Sequence, residues 1–353
     1  MFHLVLTACF AASSPLCMPV LLPAGSAATR EDCRHGAARI TQDWLQDHPD
    51  LTGNGFRCVA GNQLPALDLR EIAPGVHVYQ GRPAQMEDTA DGRIANLGVV
   101  IGEDRIAVID SGVSRRQGQE FLTAIRQISD KPISHVILTH MHPDHVLGAA
   151  VFAEAGAQVV AHHALPRALA VRAQSYLDNA LRLFGAEQML GTEIVLPDMV
   201  VTDSMTIDLG GRSLLLRTAR TAHTDNDLTV FDDASGTLFT GDLLFRELTP
   251  VVDGSLLGWI DWAEMPPSPV PSLIVPGHGR VAQNWPEAVK PQQDFLTALR
   301  DATRETIRDG LPMSRAVPRI VEGMSAWRNG WQSYEATVAR DATASFKELE
   351  WEQ

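Results

Sequence analysis

Six consecutive residues constrain this chain more than any other feature. His140-Met141-His142-Pro143-Asp144-His145 places four metal-competent side chains directly after the apolar run Val136-Ile137-Leu138. Imidazole nitrogens and a carboxylate oxygen are borderline ligands that suit zinc or iron, and a site with positions left over for water is built for hydrolysis rather than for structure. Further ligand types follow in order. His223 comes after Leu214-Leu215-Leu216, Asp242 sits in Thr240-Gly241-Asp242 after Thr237-Leu238-Phe239, and His278 sits in Pro276-Gly277-His278-Gly279 after Leu273-Ile274-Val275. Each follows a β-like run, so all four segments are expected to end on one rim. A single histidine is more often a surface or satisfied core residue than a ligand; the set, not any one member, carries the reading. The other histidines are read blandly: His77 as core or rim, His135 as preceding a strand, and His162-His163 as capping a surface helix.

The ordered set resembles the metallo-β-lactamase superfamily, whose H-x-H-x-D-H motif is followed by a His, a bridging Asp and a His. The resemblance covers roughly residues 66–284. It implies a four-layer α/β-β/α sandwich in which His140, His142 and His223 hold one zinc ion, Asp144, His145 and His278 a second, and Asp242 bridges both. Two such ions roughly 3.5–4 Å apart lower the pKa of a shared water and stabilise a developing oxyanion. Asp110, in Val108-Ile109-Asp110-Ser111-Gly112, matches the superfamily's early aspartate, which orients the metal loop; a plain turn aspartate before glycine is an equally open reading. Asp144 and Asp110 are thus the expected catalytic carboxylates.

Departures rank the branches. Dedicated lactamases usually put Cys or Ser where Asp242 stands, and flavodiiron oxidases put Glu where His142 stands. Glyoxalase II and the persulfide dioxygenases share the ligand set, but continue after the third histidine with glycines rather than Asp225-Asn226-Asp227. A narrower likeness is to the quinoprotein relay system zinc metallohydrolases. It is carried by the exported N-terminus, Cys33 and Cys58, the stretch Asp253-Gly254-Ser255-Leu256-Leu257-Gly258-Trp259, and the ending Glu348-Leu349-Glu350-Trp351-Glu352. It implies a periplasmic setting beside pyrroloquinoline quinone (PQQ) dehydrogenases.

Composition narrows the partners. A net charge of -14 and only three lysines, Lys131, Lys290 and Lys347, deny the chain the basic track that nucleic acid requires, and disfavour anionic membrane surfaces. Residues 1–28 carry no Lys, Arg, Asp or Glu and end in Gly25-Ser26-Ala27-Ala28, reading as an export signal rather than fold; Leu6-Thr7-Ala8-Cys9 offers a lipid-anchoring alternative at Cys9. Pro15, Pro19 and Pro23 interrupt the run and argue against a membrane-spanning helix. Removal of the signal leaves Cys33 and Cys58, expected to be disulfide-bonded.

The expected organisation is a signal peptide over 1–28, an N-terminal extension with Cys33 and Cys58 over 29–65, the metallo-β-lactamase-fold domain over 66–284 and a C-terminal helical extension over 285–353. Within it, helices are expected at 37–46, 115–128, 164–183, over the stripe from Phe295 to Gly310 and from Tyr334 to Leu349, and strands at 76–79, 97–101, 106–109, 199–209 and 213–216. Leu244 to Trp262 reads as a pocket wall or as ordinary packing, and Tyr176, Phe184 and Met189 lie on an insertion that could cover substrate. The function expected is an exported dinuclear zinc hydrolase acting through metal-bound hydroxide on an ester, lactone, thioester or amide of a small molecule. The alternatives are an iron-dependent persulfide dioxygenase, a glyoxalase II-like thioesterase, and a metal-containing periplasmic accessory or binding protein. Oligomeric state leaves no readable trace.

Overall fold

A computed structural model describes residues 1–11 and 16–352. Three sheets organise the chain. The first has the order β2-β1-β3, from β1 (Phe2–Phe10), β2 (Cys17–Ala27) and β3 (Leu51–Ala60). The second contains β4 (Arg70–Ala73), β5 (Val76–Tyr79), β6 (Leu97–Ile101), β7 (Ile106–Ile109), β8 (Ile133–Leu138), β9 (Gln158–His162) and β10 (Met199–Val201), laid side by side in sequence order. The third is β11 (Ser204–Asp208), β12 (Ser213–Thr218), β13 (Leu228–Asp232), β14 (Thr237–Phe245) and β15 (Leu273–His278), again in sequence order.

The continuous apolar runs of β7, β8 and β9 are explained by burial on both faces, as expected for parallel strands covered on each side. Ile106, Val108, Val136, Leu138, Val159 and Ala161 pack toward the helices Arg115–Ile128, Ala149–Glu154 and Leu165–Met189. Their alternating neighbours Ala107, Ile109, Ile137 and Val160 meet Leu214, Leu216, Val230 and Phe239 of the third sheet. Two sheets face to face with helices outside is the α/β-β/α sandwich expected from the sequence. The helix Trp285–Arg308 covers the outer face of the third sheet through Trp285, Ala288 and Val289.

The helices after Pro286 do more than cover a face. Phe295, Leu296, Leu299, Ile320, Val338 and Phe346 form one core with Leu243, Phe245, Leu248, Val252 and Trp259, the residues that follow the third ligand segment. An additional helix, Met313–Gly323, lies between the two expected ones; Pro318 inside it masks its periodicity in the sequence.

The N-terminal segment differs from expectation. Read as lying outside the fold, residues 1–28 supply two of the three strands in the first sheet, with Leu4, Leu6 and Leu22 buried against Cys33, Ala37 and Trp44. An uncharged apolar run of this length has the composition of a signal core and of a buried strand alike, so periodicity cannot separate the two. Cys9 is bonded to Cys17 and Cys33 to Cys58, and no described cysteine is free. Pro15 lies outside the described residues. Among those residues, no helix is long and apolar enough to cross a membrane.

Candidate metal centre

Four chain segments deliver the ligand-type side chains to one rim of the sandwich. The 140–145 loop leaves the end of β8 and turns at once into a short helix, Pro143–Val146, with Pro143 in its first turn, where a missing amide costs nothing. Asp242 is aimed differently. It lies within β14, where the pairing to β15 shifts register on both sides of Gly241, and Gly241 has φ +51, so the strand kinks and turns the Asp242 carboxylate into the site. A Cβ at Gly277 would overlap that carboxylate, which is why glycine precedes His278.

The seven expected residues converge as two groups. One contains His140, His142, His223 and Asp242, the other Asp144, His145 and His278, with ligand atoms within 4.8 Å of one another in each. Asp242 stands between them: its Oδ2 is 3.6 Å from His140 Nε2, 3.5 Å from His223 Nε2 and 3.1 Å from His278 Nε2, while its Oδ1 is 3.2 Å from His145 Nε2. Zn–N bonds of about 2.1 Å give a tetrahedral ligand edge of about 3.4 Å, close to these separations.

The hydrogen bonds on the far side of each ring decide whether these residues fit a cation. His223 Nδ1 donates to the Val251 carbonyl at 2.8 Å and His278 Nδ1 to the Ile94 carbonyl at 3.0 Å. His140 Nδ1 donates to Thr139 Oγ1 at 3.1 Å, whose own proton goes to Asp110. His142 is reversed, with Nε2 donating to Asp253 Oδ2 at 3.1 Å. Each neutral ring therefore points its unprotonated nitrogen inward. His142 Nδ1 meets His140 Nε2 and His223 Nε2 at 3.0 Å each. Three inward lone pairs at that distance cannot satisfy one another, but a cation satisfies all three. Asp144 Oδ2 and His145 Nε2 of the other group, and Asp242 Oδ1 between the two, are buried without a hydrogen-bond partner. The donor set fits two divalent ions.

Electrostatics divides the two groups. Burial, reinforced by the charge of His145, holds His140 well below the ordinary imidazole range, and burial together with His142 pulls His223 down to about 3. His145 and His278 are also buried, yet both are raised: for His145 the carboxylates of Asp242, Asp144 and Asp110 outweigh the desolvation, and for His278 Asp242 leads. The Asp144 and Asp242 carboxyls are correspondingly lowered against burial by the neighbouring histidines.

Asp110 lies one layer out. It occupies the left-handed region at φ +59, accepts from Thr139 N at 2.8 Å and Thr139 Oγ1 at 2.9 Å, and accepts the Nδ1–H of His145 at 2.8 Å. It thus ties Thr139, the residue before the motif loop, and His145 within it to the end of β7.

The model of the metallo-beta-lactamase superfamily matches residues 90–278, which contain the whole ligand set. The chain belongs to that superfamily. Human acyl-coenzyme A thioesterase MBLAC2 is 25% identical over 193 residues, covering 49% of this chain and 64% of the relative, so the chain spans less than two thirds of that relative. A linear primary-alkylsulfatase from a Pseudomonas strain is 43% identical over only 47 residues, 13% of this chain and 9% of that enzyme. Among solved structures, the inverting sec-alkylsulfatase Pisa1 from Pseudomonas sp. matches with a TM-score of 0.62 at 17% identity over 82% of this chain and 51% of its own. The Pontibacter korlensis metallo-beta-lactamase matches with a TM-score of 0.52 at 20% identity, over 65% of this chain and 99% of its own. These structural matches show the fold.

The superfamily site opens into a cavity of about 640 Å³. Ile94, Phe245, Leu248, Val251 and Val252 supply its apolar wall, and Arg172, Tyr176, Asp253, Arg340 and Lys347 its polar one. Of the insertion residues singled out from sequence, Tyr176 lines the cavity, whereas Phe184 and Met189 are buried in the core. Trp259 is also core: it is 0% exposed, donates Nε1 to the Leu243 carbonyl at 2.8 Å and packs against the His223 ring at 5.2 Å. His135 lies within β8 rather than before it, and His162 Nδ1 accepts from Ala164 N at the start of the Leu165–Met189 helix.

Sequence reasoning missed the brace supplied by the last helix, Tyr334–Leu349. Asp341 Oδ1 accepts from Val252 N at 3.0 Å; Glu348 accepts from Ser255 Oγ at 2.6 Å and from Leu256 N at 2.7 Å. The loop so held carries the Val251 carbonyl, which orients His223, and Asp253, which orients His142 and is paired with Arg172 at 2.7 Å. The partners in the brace lie 89 to 93 residues apart in the chain, and no local motif announces them.

Proposed function

We propose that this chain is an exported dinuclear zinc hydrolase that cleaves an ester, lactone, thioester or amide of a small molecule. The observation that carries the proposal is the convergence of seven nitrogen and oxygen ligand-type side chains, with Asp144 Oδ2, His145 Nε2 and Asp242 Oδ1 buried and unpartnered and three histidine nitrogens turned on one another. When bound, two divalent ions acidify a water and polarise the electrophile. The protein's own residues do the rest. His140, His142 and His223 would hold one ion, and Asp144, His145 and His278 the other, with Asp242 shared. Asp110 fixes the His145 tautomer, and Asp144, which lines the cavity, would face the ion with Oδ2 and orient a nucleophilic water by accepting its hydrogen bond on the other oxygen. Phe245, Leu248 and Val252 exclude water from the side facing the last helix.

The names of the relatives, a thioesterase and an alkylsulfatase, support hydrolysis in general and favour testing thioesters early. Two disulfides and the absence of a free described cysteine support an oxidising compartment, in keeping with export to the periplasm and a place beside PQQ-dependent dehydrogenases.

The test is metal content by inductively coupled plasma mass spectrometry together with a panel of small esters, lactones, acyl-coenzyme A thioesters and β-lactams. About two zinc per chain with turnover, both lost in Asp242→Ala, supports the proposal. Protein that binds no metal on reconstitution overturns it, and one iron per chain with oxygen uptake replaces it with a dioxygenase.

A further inference from the structure

The charge of the cavity runs against the charge of the protein. The chain is acidic overall, with 29 basic side chains against 43 acidic ones, yet Arg340 and Lys347 of the last helix both line the cavity. They are seven residues apart, two helical turns or about 10 Å, and so share one face of that helix. Both are exposed, and among the described residues neither has an ion-pair or hydrogen-bond partner. The other two lysines are engaged elsewhere: Lys131 Nζ donates to the Gly102 carbonyl at 2.7 Å, and Lys290 pairs with Asp294 at 2.8 Å. Lys347 is the lysine left unpaired, and it faces the site.

The acidic groups around the cavity do not cancel this wall. Asp144 and Asp242 belong to the ligand set. Asp253 is engaged by His142 and by Arg172, which also removes Arg172 as a free cation. Glu87, exposed at the rim, is the remaining acidic side chain lining the cavity among the described residues. With two divalent ions bound against two carboxylates, the floor adds positive charge to that of the wall, and a low-dielectric cleft of one sign concentrates ligands of the other. An apolar strip containing Phe245, Leu248 and Val252 also lines the cavity.

We propose that the substrate is amphipathic and anionic, its scissile carbonyl at the ligand cluster, an apolar linker along that strip, and a carboxylate or phosphate oxyanion held between Arg340 and Lys347. This deepens the hydrolase reading and rests on it for the scissile bond, but not for the anion. The planar guanidinium of Arg340 can take such an oxyanion with two parallel hydrogen bonds, and Lys347 adds a mobile point charge.

The test is titration calorimetry on the zinc-loaded full chain, comparing hexanoate with the linear dicarboxylates from glutarate to suberate, and with 6-phosphonohexanoate to distinguish phosphate from carboxylate. One carboxylate of each probe can occupy the ligand cluster, so the comparison isolates the second anion. At least one doubly anionic probe is expected to bind roughly tenfold more tightly than hexanoate at low salt, an advantage that shrinks as salt rises. Arg340→Gln with Lys347→Gln should bring the two classes within about twofold, while Arg340→Lys retains most of the difference. Each single substitution, at an exposed side chain, provides a graded reading. An advantage below about twofold at every chain length, or one that survives in the double variant, overturns the proposal. If the advantage is present but no ester, lactone or thioester is turned over, the hydrolase reading fails and the anion site stands.

Discussion

Asp110→Asn is the sharpest probe of how the ligand set is held. Asparagine tolerates the left-handed backbone that Asp110 occupies and matches its shape, so the change is confined to one oxygen. Asp110 receives three hydrogens: Thr139 N on Oδ1, and Thr139 Oγ1 and His145 Nδ1 on Oδ2. An amide has one acceptor oxygen. Turned one way, its NH2 opposes the Thr139 N–H; turned the other, it opposes His145 Nδ1–H and the Thr139 hydroxyl. Either orientation leaves a buried donor facing a donor, costing about 1–3 kcal/mol. If the His145 ring yields, its tautomer reverses and the inward nitrogen becomes protonated. Loss of such an orienting partner typically weakens a metal by 10–100-fold, or about 1.4–2.7 kcal/mol. Zinc titration of the metal-free protein against a chromophoric chelator should therefore show the Asp144–His145–His278 half weakened by roughly that factor. The His140–His142–His223 half, touched only through Thr139, should change much less. A uniform fall in both constants, or no change in either, would refute this division of labour.

Proton release should differ between the halves. The neighbouring carboxylates raise His145 and His278 above the ordinary imidazole range, and a ligand nitrogen must be free of its proton, so affinity there should rise with pH. His140 and His223 are already neutral, so affinity at that half should rise less steeply; parallel zinc titrations at several pH values read both slopes. Asp341→Asn tests the brace. Burial raises the Asp341 carboxyl to about 7, so the folded state keeps a proton that the unfolded chain loses above about pH 4, and stability falls as pH rises between those values. At about 1.4 kcal/mol per unit the cost reaches about 4 kcal/mol at most. The variant, which keeps an acceptor for Val252 N, should gain stability toward urea at pH 8 and match the parent near pH 4. Glu348→Ala strips acceptors from Ser255 Oγ and Leu256 N; it should cost about 1–3 kcal/mol and speed amide exchange over residues 251–258, measured by mass spectrometry.

Local regularities carried most of the architecture into the sequence. The helix Arg115–Ile128 is announced by its apolar periodicity, with Ser114 as its N-cap, accepting from Gln117 N. The strands β6 to β8 are announced by short apolar runs, and the ligand set by residue types that cluster for few other reasons. The strand Leu51–Ala60 was not legible, because Gly53, Gly55 and a mostly exposed face hide its alternation. Asp253 could be placed near the site only as part of a segment, since its partners His142 and Arg172 lie 111 and 81 residues away. Arg340 and Lys347 are ordinary helix-surface cations until the fold brings that surface to the cavity.

The position of the last helix in the chain also sets an order of assembly. A ribosome releases residues 140–278, with every donor assigned to the two ions, before Tyr334–Leu349 exists. The floor of the site is thus made first, while the brace on residues 252–257 and the cationic wall arrive with the final helix. The ligand-type residues and the cationic wall lie in separate stretches of the chain, so Arg340 and Lys347 can be substituted on one exposed helix face without touching a donor of the cluster.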